Sequence, residues 1–274
     1  MKQHFILPLL TYPDATSGLM IANAVALARH VQATLTICPV HVTIPDVSNT
    51  LSSLVIDAAK MARNAEALSR KRAEILTRKA LEEAKAASVE LLTRELTSGE
   101  PFIGQRLAEI SRVYDLVLLE STITSRPIVE AVLFGSGRPL ILYPSGAFGG
   151  RMDHVAVAWD GSRAAARALH DAAVFIEQAS KVCLLSVTDD KPVGTEIAND
   201  LIENLRRIGV SVEAERLHAL GEPVGRVLQN KAFDARADLL VMGGFGHSRL
   251  REFVLGGATQ AVLTNISLPV LMSH

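Results

Sequence analysis

The sequence predicts an α/β protein of two tandem, doubly wound parallel-sheet domains of Rossmann-like type. Three observations lead there. Short apolar runs alternate with helical stretches along the whole chain; the alternation occurs twice with matching landmarks; and the second copy closes on a glycine-framed loop set between a strand and a helix. A chain of 274 residues is long for one domain and comfortable for two.

The repeat is carried by short identical or similar blocks. Gly99-Glu100-Pro101 recurs as Gly221-Glu222-Pro223, and each precedes a helical stretch and an apolar strand, Asp115-Leu116-Val117-Leu118-Leu119 in one half and Asp238-Leu239-Leu240-Val241-Met242 in the other. Glu130-Ala131-Val132-Leu133 matches Gln260-Ala261-Val262-Leu263. Arg138-Pro139-Leu140-Ile141-Leu142 matches Leu268-Pro269-Val270-Leu271-Met272. Gly146-Ala147-Phe148-Gly149-Gly150 has the composition of a flexible linker. The expected domains are therefore residues 1–145 and 151–274.

The second half reads element by element. Strands are expected at 155–159, 182–187, 210–217, 239–242 and 270–272. Helices are expected at 163–178, 196–207, 224–235 and 259–264. The first half follows the same order with one expansion. From Asp46 to Ser98 there is no Gly or Pro, and Ala73, Leu76, Ala80 and Ala84 line one face of a stretch rich in Ala, Glu, Lys and Arg. That pattern predicts one long amphipathic helix over 65–87, preceded by another over 51–63. It serves either to cover the sheet or to bind a partner.

Composition excludes several classes. The net charge of −1 and the lack of a basic block argue against nucleic acid as a partner. No apolar run reaches membrane-spanning length. Phe5 to Leu10 reads as a first strand rather than a leader, because Pro8 interrupts it and Asp14 follows. Cys38 and Cys183 fall in the second strand of separate halves, so free thiols and a cytoplasmic address are expected.

The chemistry is expected where the strands end. Leu239-Leu240-Val241-Met242 runs into Gly243-Gly244-Phe245-Gly246, nine residues intervene, and Gly256-Gly257-Ala258-Thr259 opens a helix. Glycine lets backbone approach an anion, and the free N–H groups of a helix start point at it. The same glycines would also serve a tight turn and a close helix–strand contact. No Gly-Lys-Ser/Thr follows, so this is not a P-loop. In an open parallel sheet the ligand lies beyond the C-terminal strand ends, here Asp160, Val187 and the Met242-Gly243 junction. Asp160 could accept from a ribose hydroxyl or an adenine amine, or cap the helix from Arg163. His247, Arg249 and Arg251 could reach outer phosphates or stand in solvent.

These residues resemble the universal stress protein family in a tandem two-domain form. The resemblance rests on the Gly243-x-x-Gly246-x9-Gly256-Gly257 spacing, on Ala158-Trp159-Asp160-Gly161-Ser162, and on the closing Leu268–Met272 strand. It covers the second half well and the first in outline. It implies adenosine contacts at Ala158, Asp160 and Val187, and phosphate contacts at Gly243, Gly246, Gly256, Gly257, Ala258 and Thr259, beside Met242. It implies ATP or a related adenine nucleotide, with or without Mg2+, no protein metal site, and a role in stress adaptation. Where the family has Ser or Thr after the last glycine, this chain has Gly257, which removes a hydroxyl.

The first half is expected to have lost the site. Glu120 stands where Gly243 stands and Pro127 where Gly257 stands, and the loop between them is seven residues shorter. A carboxylate there repels phosphate, and proline removes a donor. The two halves are expected to form an intramolecular pseudo-dimer through their final strands, with homodimerisation of whole chains left open. No catalytic residues are assigned, and any ATP hydrolysis would be slow. The rival readings are a nucleotide-free interaction protein and a nucleotidyl transferase or ATP pyrophosphatase, whose His-x-Gly-His or Ser-Gly-Gly-x-Asp-Ser signatures are missing.

Overall fold

The computed structural model describes residues 2–45, 58–189, 194–244 and 257–274. The chain divides into two compact units. One comprises Met1–Ser136 with Ser145–Gly150, and the other comprises Gly137–Pro144 with Arg151–His274. The segment 137–144, which the repeat assigns to the first half, thus groups with the second unit.

In the first unit β1 (His4–Leu9) leads to α1 (Gly18–His30), β2 (Thr34–Thr43), α2 (Ala58–Ala87), β3 (Leu91–Thr93), β4 (Leu96–Gly99), α3 (Ile103–Ser111), β5 (Leu116–Glu120) and α4 (Arg126–Gly135). The strand order is β3-β2-β1-β5, all parallel. β2 carries β3 on its first part and β4 on its second, from Val40↔Leu96 to Thr43↔Gly99. The long helix is α2, thirty residues, with Ala65, Ala73, Leu76, Ala80 and Ala84 buried. Part of the helix expected over 51–63 is continuous with α2, and 51–57 lie outside the described residues.

The second unit contains β6 (Leu140–Tyr143), β7 (His154–Ala158), α5 (Arg163–Asp171), α6 (Ala173–Ile176), β8 (Lys181–Val187), α7 (Thr195–Arg207), β9 (Val212–Leu217), α8 (Val224–Asp234), β10 (Leu239–Gly243), α9 (Gly257–Thr264) and β11 (Val270–Ser273). The order is β6-β11-β10-β7-β8-β9. Only β6 runs antiparallel, pairing Leu142 with Val270 and Leu140 with Met272. The helix expected over 163–178 breaks at Ala172, which caps α5. Burial of nearly every residue of β7, β10 and β11 explains their continuous apolar runs.

One device recurs in both units and shows the duplication in three dimensions. Asp115 Oδ2 accepts from His4 N at 2.8 Å while Asp115 N donates to His4 O at 2.9 Å. Asp238 does the same with His154, both at 2.8 Å. Each aspartate thus fixes the start of one strand pair, β1–β5 in the first unit and β7–β10 in the second. The glycine-rich 146–150 segment is not a loose linker. Asn23 of α1 donates through Nδ2 to Gly146 O and accepts from Phe148 N. Gly150 (φ +72°) lies so close to α1 that a Cβ would stand 2.4 Å from the Ala26 carbonyl carbon. Both cysteines are free, and burial pushes the Cys38 thiol up to about 12, which keeps it protonated and unreactive.

Candidate functional site

The register of the second unit builds a cleft at the C-terminal ends of its strands. β7 pairs with β8 as Ala158↔Leu185 and with β10 as Val157↔Val241. Strand alternation therefore puts Ala158, Leu185 and Met242 on one face, with Asp160 and Val187 just beyond it. These residues line a cavity of about 90 Å³. Gly243 and Ala258 join them from the end of β10 and the start of α9, and Val224 and Leu228 from α8 close the apolar wall. Trp159, Ser162 and Ala165 complete the lining on the α5 side.

Local hydrogen bonds fix the strand ends. Trp159 N donates to Leu185 O at 2.8 Å, and Ser186 Oγ donates to Trp159 O at 2.9 Å. Ser162, not Asp160, is the N-cap of α5, its Oγ accepting from Ala165 N at 3.1 Å. Asp160 Oδ1 accepts from Ser162 N at 3.0 Å, so the carboxylate is oriented by the turn that follows it. Gly161 takes φ +72°, a conformation that the tight turn requires and glycine supplies.

Two glycines shape the cleft by close packing. A Cβ on Gly243 would lie 2.6 Å from the Ala164 carbonyl carbon, so its hydrogen lets α5 rest against β10. A Cβ on Gly225 would lie 2.2 Å from Ala258 O, so its hydrogen lets α8 meet the first turn of α9. Gly257 differs: a Cβ there would meet none of the described residues within 4 Å. Thr259 is buried, 2% exposed.

The lead into α8 is tied to the end of β8. Asp189 accepts from Ala219 N through Oδ1 at 2.8 Å and from Leu220 N through Oδ2 at 2.9 Å. Those backbone donors, the Ala219 amide first, hold its carboxyl below the usual carboxylate range. The clasp joins the segment after Val187 to the segment before Val224, and both valines line the cleft.

The structure thus brings together Ala158, Asp160, Val187, Met242, Gly243 and Ala258 among the residues the sequence singles out. Gly257 and Thr259 stand in the first turn of α9 without lining the cleft. Gly246 and Gly256, with His247, Arg249 and Arg251, lie outside the described residues. Sequence reasoning missed Val224, Gly225, Leu228 and Asp189. A glycine two residues after Pro223, inside a helix that would favour alanine, was the available signal for Gly225. Among the described residues no three His, Cys, Asp or Glu gather to hold a metal, and no described helix is long and apolar enough to cross a membrane.

An open, nearly all-parallel α/β sheet with a cleft at its C-terminal strand ends defines the class. Residues 152–274 match the model of the "Universal stress protein family". Universal stress protein YxiE of Bacillus subtilis (strain 168) is 32% identical over 142 residues, covering 42% of this chain and 95% of that protein. Universal stress protein Slr1230 of Synechocystis is 42% identical over 69 residues, covering 24% of this chain and only 22% of Slr1230. A universal stress protein from Archaeoglobus fulgidus DSM 4304 shares the fold over 98% of this chain and 95% of its own, at TM-score 0.75 and 18% identity. The chain belongs to the universal stress protein family.

Proposed function

We propose that the cleft of the second unit binds ATP or a related adenine nucleotide, one per chain, and that the protein acts in the cytoplasm as a nucleotide-dependent regulatory protein in stress adaptation. The observation that carries this reading is the convergence of Asp160, Val187 and the Met242-Gly243 strand end on one cavity beside the start of α9. Val187, Leu185, Val224 and Leu228 offer an apolar slot for a flat base. The Asp160 carboxylate accepts from ribose hydroxyls or the adenine amine. The N-terminal turn of α9 presents backbone N–H groups and the positive end of its dipole to phosphate. No described residue crowds Gly257, so a phosphate can approach that backbone, and the buried Thr259 leaves this contact to main-chain donors.

The reading is one of binding rather than turnover. Among the described residues, the carboxylate and the hydroxyl that line the cleft, Asp160 and Ser162, both serve the turn into α5 and form no nucleophile–base pair. Mg2+ enters as the companion of the nucleotide, held by its phosphates. Free thiols at Cys38 and Cys183 agree with a reducing compartment. Mass spectrometry of small molecules released from the denatured purified protein tests the reading. An adenine nucleotide near one per chain is expected. No released nucleotide, together with no thermal shift on adding ATP, would overturn it in favour of a nucleotide-free interaction protein.

A further inference from the structure

α2 is the largest departure of the first unit from the second, and its charge departs from that of the chain. The chain carries −1 in all, whereas α2 holds eight Lys or Arg against four Glu. Its inner face is committed to the first unit. Ala73, Leu76, Ala80 and Ala84 are buried, Ser69 bonds Thr11 and Val42, and Arg72 donates to Thr11 O and Pro13 O. Its outer surface carries two ridges. Met61, Leu68 and Ile75 recur every seven residues and are 62%, 40% and 52% exposed. Lys71, Arg78 and Lys85 recur at the same interval and are exposed too. Seven residues advance a helix by about 10.5 Å and bring the side chain back to within about 20°. Each ridge is therefore nearly straight, about 21 Å from its first residue to its third. The two lie side by side, because Lys71 and Arg78 follow Leu68 and Ile75 by three residues.

We propose that this face of α2 docks an acidic amphipathic helix of a partner protein. The partner's apolar seam packs along Met61, Leu68 and Ile75, and a row of Glu or Asp at seven-residue intervals meets Lys71, Arg78 and Lys85. A row of apolar knobs bordered by one row of cations is what such a helix completes. The cations select the sign of the partner more than they add affinity. A second copy of this chain matches the face poorly, because the two basic ridges would meet each other. An anionic lipid surface also matches poorly. The exposed apolar side chains, Met61, Leu68 and Ile75 in one row and Leu81 beyond the cations, are split by charge, whereas an interfacial helix buries one continuous apolar face.

The probe is a fluorescein-labelled peptide of three heptads with Leu in its seam and Glu on its flanks, titrated with the full chain by anisotropy. A second peptide carries Lys in place of Glu. The Glu peptide is expected to bind about tenfold or more tighter than the Lys peptide, in line with a few rim ion pairs. Lys71→Glu/Arg78→Glu/Lys85→Glu should reverse that preference, and Leu68→Ser/Ile75→Ser should abolish binding of both. All five positions are exposed, so every variant should stay folded, and circular dichroism verifies that. The proposal is overturned if the Glu peptide does not bind, if both peptides bind alike, or if charge reversal leaves the preference unchanged. It is also overturned if the chain self-associates through Leu68 and Ile75, or if anionic vesicles bind where the Glu peptide does not.

Discussion

β5 and β10 occupy the same place in the two units, and they end on different residues: Glu120 in the first, Gly243 in the second. In the second unit the missing side chain lets α5 lie against the strand, and Asp160 of the preceding turn accepts from Ser162 N. In the first unit the Glu120 carboxylate itself reaches the corresponding amide, Ser17 N, at 2.8 Å. Ser17 and Ser162 otherwise do the same work, each capping its helix through Oγ. The strand ends beside them are also covered differently. α2 lays Ser69 against Thr11 at 2.7 Å and Arg72 Nη1 against Thr11 O at 2.9 Å, over the ends of β1 and β2. The cavity left near Glu120 is about 10 Å³, against about 90 Å³ in the second unit. In the first unit the chain's own groups, Glu120, Ser69 and Arg72, thus bond across the strand ends that the second unit leaves open among its described residues.

That contrast can be broken or sharpened by substitution. The largest effect is expected from Gly225→Val, which drives a side chain into Ala258 O. Overpacking of this kind costs ~1–3 kcal/mol, and ATP affinity should fall with it because α8 and α9 separate; denaturant melts and ATP titration read the two effects. Asp160→Ala should leave the fold intact and weaken ATP binding by roughly 1–3 kcal/mol, the loss of a hydrogen-bonding partner in the cleft. Unchanged affinity would remove Asp160 from the site. Glu120→Gly makes the first unit's strand end resemble the second's. It should lower stability by about 1 kcal/mol, the value of a helix-terminal cap, while ATP stoichiometry stays at one, because the loop after β5 remains seven residues short.

The smallest effect concerns Asp189. Its carboxyl titrates below the ordinary value of 3.8 in the folded chain, chiefly because Ala219 and Leu220 donate to the charged form. A depressed carboxyl stabilises the fold above its unfolded value and loses that contribution as pH falls through the folded one. Asp189→Asn should therefore melt below wild type at neutral pH, and the two curves should converge as pH drops under 3.8. A melting difference that persists at lower pH would mean that charge is not what the clasp uses.

Much of the fold was legible because local pattern and global architecture agree. The twice-repeated Gly-Glu-Pro, the two Asp-led strands and the Ala-lined stretch 65–87 each carry their structure within a few residues. The strand-end rule pointed to Asp160, Val187 and the Met242-Gly243 junction, and the family resemblance added Ala158; all of them line one cavity, because register follows from the order of elements. What escaped depends on contacts between distant segments. Gly225 matters only because α9 lies against it, and Asp189 only because the 219–220 amides come within reach. The pairing of the two final strands was expected and is present, whereas its register, Ile141↔Leu271, and the grouping of β6 with the second unit needed the fold. The glycine segment 146–150 has linker composition, but Asn23 fastens it.

The central claim is an asymmetry, one open nucleotide cleft and one bridged by the chain's own groups. Isothermal titration of the full-length chain with ATP tests it most directly. The account predicts a stoichiometry near one, lost or weakened by Asp160→Ala and unaffected by Glu120→Gly. A stoichiometry near two, or no binding at all, would contradict it.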